Sequence, residues 1–144
     1  MKKLLTICLL LATAFTGKAQ ESKSALSFEE TVAYINKKNE TNGYILRPGY
    51  SINESFGAGI KSISVIKSGI FQFHLCCDWP MESFNIFDLT KELYIDEKDR
   101  LVFEFSSAEK KEIKTRSLAE TERLKKAFTH LISLCTKQND PFEN

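Results

Sequence analysis

Three regimes of apolar patterning follow one another along this chain. Leu4 to Phe15 is an almost unbroken apolar run, residues 44 to 115 carry short segments that alternate with period two, and two flanking stretches repeat apolar residues every three or four positions. The first of these stretches predicts a helix from Phe28 to about Lys38. Ser27 and Glu30 form a capping box before it, Phe28, Val32 and Ile35 make its apolar stripe with Thr31 and Tyr34 alongside, and Asn42-Gly43 ends it. The last stretch predicts a long helix opened by a second box, Ser117 and Glu120, and running to about Lys137. Its stripe is Leu124, Phe128, Leu131 and Cys135, with Ala127 and Ile132 beside it, while Arg123, Lys126 and the solvated His130 face away.

Between the helices the alternation predicts antiparallel strands. Gly69 to Asp78 places Phe71, Phe73, Leu75 and Cys77 on an apolar face and Gln72, His74, Cys76 and Asp78 on a polar one. Lys61 to Lys67 behaves likewise, Leu101, Phe103 and Phe105 alternate with Val102 and Glu104, and Glu92 to Ile95 pairs with that run through the turn at Asp96 to Asp99. A further strand is expected near Glu112 to Thr115, and Gly57-Ala58-Gly59 is read as a flexible turn. The sum is an α+β fold: an N-terminal helix, antiparallel strands forming a bent sheet or small sandwich or barrel, and a long amphipathic helix packed on it. The alternative is a cystatin-like sheet curled around the Phe28 helix.

The opening run changes where this fold is expected to work. Lys2 and Lys3 precede it and Gly17, Lys18 and Ala19 follow, the layout of an export signal cleaved before Gln20. A dozen apolar residues fall short of the roughly 20 that span a bilayer. Cys8 lies inside the run, not after it, which argues against a lipoprotein. Residues 1–19 are therefore read as signal peptide, 20–26 as a disordered mature N-terminus, 27–138 as one domain and 139–144 as a tail. The Ala-Gln junction after an MKK start resembles leaders of Bacteroidota, which implies a periplasmic or secreted protein.

Cleavage also changes the charge. The leader carries three lysines and no acids, leaving 17 Lys and Arg against 19 Asp and Glu, a net charge of −2. Basic residues near Lys110 and Arg123 are interleaved with acids, so nucleic acid is a poor partner on electrostatic grounds. No CxxC, HExxH or glycine-rich phosphate loop occurs, so neither metal nor cofactor is expected. Asn39 and Asn53 fit the glycosylation sequon by chance.

Three cysteines remain after cleavage: Cys76, Cys77 and Cys135. The pattern puts Cys77 and Cys135 on core faces, where they are either a disulfide, contributing about 4 kcal/mol by loop entropy, or buried thiols. A vicinal Cys76–Cys77 bridge ranks last, because it strains the peptide between them. His74, Cys76 and Asp78 share a strand face at spacings of two, within reach of nucleophile–base chemistry, against the plainer reading of a half-exposed polar sheet face. Trp79, Met81 and Phe84, with Phe87 nearby, make a loop rich in large apolar groups that is either a contact patch or a plug for one end of the sheet. Tyr44, Arg47 and Tyr50 form a second, weaker contact candidate.

The run Leu101 to Phe105, the charged strand near Glu112 to Thr115, and the segment from Ala119 through Leu124 and Phe128 to Cys135 resemble the ending of pleckstrin-homology-like domains in small secreted Bacteroidota proteins. That resemblance implies a bent seven-strand sandwich closed by the last helix. The chain departs from phosphoinositide-binding members, having no basic cluster in an early hairpin loop and an added N-terminal helix. The expected function is non-catalytic binding of a protein or small molecule outside the cytoplasm, with no transmembrane segment after signal removal. The alternative is a small enzyme using the His74 and Cys76 face.

Overall fold

The computed structural model describes residues 25–48, 57–106 and 109–137. Helix α1 (Phe28–Asn42) opens on the predicted box: Ser27 Oγ accepts from the Glu30 amide at 3.3 Å and the Glu30 carboxylate accepts from the Ser27 amide at 2.8 Å. It runs four residues beyond the predicted end, stopping where Gly43 adopts φ 63° and returns its amide to the Asn39 carbonyl.

Seven strands follow: β1 (Ile45–Pro48), β2 (Ala58–Val65), β3 (Ile70–Leu75), β4 (Glu82–Asn85), β5 (Tyr94–Ile95), β6 (Leu101–Glu104) and β7 (Lys110–Lys114). All neighbours are antiparallel, in the order β4-β3-β2-β1-β7-β6-β5. Strand β2 belongs to two half-sheets. Its first residues pair with β1 at Ala58 and Gly59, its later ones with β3, and the register slips between Ile60 and Ser62. A bulge sharpens local twist, and the sheet bends so that its halves face one another. Phe84 on β4 lies 5.4 Å from Phe103 on β6, ring centre to ring centre, and Lys111 on β7 reaches Glu82 on β4 at 2.7 Å.

The glycines predicted as a flexible turn instead lead into strand β2, Gly57 just before it and Gly59 within it. Side chains at these positions would collide: a Cβ at Gly57 would stand 2.8 Å from the Arg47 and Ile45 side chains. Close backbone approach, not flexibility, is what glycine supplies here.

Where β2 leaves β1, its outer edge would present unpaired backbone, and α1 covers it. Asn36 donates to the Ile63 carbonyl and accepts from the Ile63 amide, both at 2.7 Å, as a neighbouring strand would. Asn39 donates to the Ile60 carbonyl at 2.7 Å and accepts from the Tyr44 amide at 3.0 Å. Covering an edge with a helix is a recognised protection against chain-to-chain pairing. Asn39 is 2% exposed, so the acceptor side chain of its sequon is sealed inside the fold.

Helix α2 (Leu118–Ser133) closes the open end of the sandwich. Leu124, Phe128 and Leu131 are buried on the predicted stripe, and Phe128 meets Phe71, Phe73 and Phe103 within 6.4 Å. Full burial of each such side chain stabilises by about 1.5–3 kcal/mol. The helix ends four residues before Lys137, because the Thr136 amide is captured by the Lys67 carbonyl in the β2–β3 turn at 2.8 Å. Its start carries half of the predicted box. Ser117 caps the Glu120 amide, but the Glu120 carboxylate turns to Tyr44 Oη at 2.8 Å and Asn42 at 2.9 Å, tying the two helices together. Burial, then the bond to Glu120, raises the Tyr44 pKa.

The outer face of the second half-sheet is a lattice of charges. Glu104, 6% exposed, accepts from Tyr94 at 2.7 Å and pairs with Lys91 at 2.8 Å and Lys110 at 3.2 Å. The bonds from Lys91 and then Tyr94, helped by Lys110, pull its pKa from 4.5 down to about 2.

Candidate functional site

Cys76 and Asp78 of the predicted catalytic row fall past the end of β3, and His74 stays within the strand. There it shares a hydrogen bond with Ser64 Oγ at 3.2 Å, and Ser64 also donates to Gln72 at 3.2 Å. Strand β3 stops at Leu75, and the chain turns through Cys76, Cys77, Asp78 and Trp79. Cys77 and Asp78 have φ 62° and 60°, and the Trp79 amide closes on the Cys76 carbonyl at 3.5 Å. Two successive left-handed residues make a turn of the type that suits hairpins. Such a turn normally holds Gly or Asn, and a Cys there is strained by roughly 1–2 kcal/mol. Alternation therefore fails past Leu75: Asp78 leaves the row, and Cys76 keeps its amide on the Gly59 carbonyl at 2.9 Å with its sulfur against Gly59.

The same turn overturns the core placement of Cys77. Cys77 is exposed, while Cys135 is half-buried at the opposite end of β3, beside Gly69, with its thiol donating to the Leu131 carbonyl at 3.4 Å. The six residues of β3 span roughly 20 Å at about 3.3 Å each, and a disulfide needs Cα atoms within about 7 Å. A Cys77–Cys135 bridge does not fit this geometry, and all three cysteines are free thiols. Burial raises the Cys135 pKa. Cys77 is raised by its hydrogen bond to Cys76 and by the charge of Asp78, the opposite of an activated nucleophile.

The aromatic loop divides in two. Phe84 is half-buried and packs against the core, stacked on Phe73 at 5.4 Å and edge-on to Phe105 at 4.9 Å, and Phe87 packs against the same core. It is not part of a surface patch, because β4 pairing in register with β3 turns Phe84 inward beside Phe71 and Phe73. Trp79 and Met81 remain outside, 38% and 48% exposed, two positions apart just past the strained turn. The second contact candidate dissolves: Tyr44 is 1% and Arg47 5% exposed, and Tyr50 lies outside the described residues.

Sequence reasoning missed a surface groove of about 700 Å³ between α2 and the segment before β5. Leu89, Leu93 and Ile132 line it together with Lys91, Lys125 and Thr129. It forms because the 3-10 turn Ile86–Asp88 throws the chain out to Leu89 before β5 returns it, a path with no sequence signal. His130, predicted to be solvated, holds the Leu26 carbonyl at 2.7 Å and so fastens the chain entering α1.

Comparison of the chain with protein families, with curated proteins and with solved structures returns no match. Among the described residues, no helix is long and apolar enough to cross a membrane.

Proposed function

We propose that this chain is an exported, non-catalytic interaction domain that presents Trp79 and Met81 to a partner outside the cytoplasm. The supporting observation is their placement: two large apolar side chains stand exposed on a strained turn between β3 and β4, whose neighbouring aromatics pack against the core. Aromatic anchors on a rigid base lose little entropy on binding, which is why Trp dominates contact energies. Catalysis finds less support, because Asp78 sits on the left-handed turn and His74 is engaged by Ser64.

The reading has two measurable parts. N-terminal sequencing of the protein recovered outside the cytoplasm should start at Gln20; recovery with Met1 intact inside the cell overturns export. A photo-cross-linking residue at Met81 should capture a partner in intact cells that the same residue at Thr129, in the groove beside α2, does not. Capture only from position 129, or recovery unchanged by Trp79→Ala, overturns the assignment to the loop.

A further inference from the structure

Cys76 and Cys77 stand adjacent at the start of the turn that carries Trp79, one half-buried against Gly59 and the other exposed on left-handed backbone. As chain neighbours, their Cα atoms lie about 3.8 Å apart, so bringing the two sulfurs together needs adjustment of this one turn only. The third thiol is fastened at the far end of β3. We propose that Cys76 and Cys77 are a redox-active dithiol, which a disulfide oxidant, low-molecular or protein-borne, closes to a vicinal bridge and a thiol reductant reopens.

The exchange balances without any further reagent. The Cys77 thiolate attacks one sulfur of the oxidant, whose other sulfur leaves as a thiolate. Cys76 then attacks the Cys77 sulfur and displaces the second one. Two S–H bonds are lost and one intramolecular S–S bond forms, while two electrons and two protons end on the two thiols released.

Accessibility assigns the roles: Cys77 meets the oxidant and Cys76, one residue away, resolves the mixed disulfide. Strain assigns the direction of use. A bridge across adjacent residues is distorted, and distorted, exposed disulfides are readily reduced, which suits a reversible site and not a structural staple. The neighbouring Cys76 and Asp78 hold the proton on Cys77, so exchange should quicken about tenfold per pH unit until the thiolate forms. Closure also resets the turn that leads into Trp79. That consequence for partner contact rests on the proposed role of the Trp79 loop.

The test uses the full chain carrying Cys8→Ser, reduced, freed of reductant and titrated with oxidised glutathione. Expected is a loss of two hydrogens, with no glutathione retained, mapped to the tryptic peptide Ser68–Lys91 and reversed by dithiothreitol. Cys76→Ser should trap glutathione on Cys77, and Cys135→Ser should behave as the parent. Glutathione held stably on Cys77 in the parent protein, or a bridge that includes Cys135, overturns the proposal. Trp79 is the sole tryptophan, so its emission reports the turn. A bridge that forms with that emission unchanged overturns the coupling to the loop. Failed cross-linking at Met81 with normal bridge formation overturns the interaction reading alone.

Discussion

Two turns in this fold each carry non-glycine residues in the left-handed region, and they are held very differently. In the β5–β6 turn, Asp96 accepts from the Lys98 and Arg100 amides at 3.0 and 2.8 Å and from Arg100 Nε at 2.7 Å, while Arg100 also reaches Glu112 at 2.7 Å. The carbonyl of Asp99, φ 59°, accepts from buried Thr121 on α2 at 2.8 Å. The β3–β4 turn instead closes on a 3.5 Å backbone bond, beside two thiols and an exposed Trp. One turn offsets its backbone cost with charge and packing and serves the fold. The other retains the cost at the surface, where strain that stability does not require points to use.

The largest expected effect lies in the secured turn. Arg100→Ala leaves Asp96 and Glu112 without the guanidinium between them, and should lower unfolding free energy by about 2–3 kcal/mol in urea melts. A loss no greater than that of Trp79→Ala would erase the contrast between the turns. Acid should attack the same half of the molecule. The Glu104 pKa is depressed in the fold, so its contribution is present above the ordinary value of 4.5 and disappears as pH falls from there toward about 2. Denaturation midpoints measured from pH 6 to pH 3 should fall, and Glu104→Gln should flatten that limb.

Smaller effects belong to the strained turn. Cys77→Gly relieves left-handed strain against the greater freedom of the unfolded chain and should stabilise by about 0.5–1 kcal/mol. Asp99→Gly should gain less, because Asp tolerates this backbone better. Equal gains would mean that the two turns store similar strain. Trp79→Ala should shift stability by under about 0.5 kcal/mol while removing the partner cross-link at Met81, which separates contact from folding.

The secured half was also the more legible in sequence. The β5–β6 hairpin, the charged strand β7 and the stripe of α2 follow from local periodicity and turn chemistry, and the α+β architecture follows from them. The β3–β4 region misled because polarity alternates straight through Cys76, Cys77 and Asp78, and nothing in that pattern records the change of backbone hand after Leu75. Phe84 read as loop for a related reason: its inward aim depends on pairing with β3, not on its neighbours in the chain. The glycines at 57 and 59 were misread because close packing and flexibility draw on the same residue. The strand-like bonding of Asn36 and Asn39 joins residues more than 20 positions apart, beyond any local signal.

Helix α1 does the work of an eighth strand, which gives its detachment a particular meaning. Fraying of α1 from Thr31 onward, with the sandwich otherwise intact, would bare the β2 run from Ile60 to Val65, an alternating apolar segment with vacant donors and acceptors. An identical segment from another molecule satisfies those groups as well as two asparagines do. The same two side chains that complete the sheet thus occupy the edge where a strand from another chain would pair.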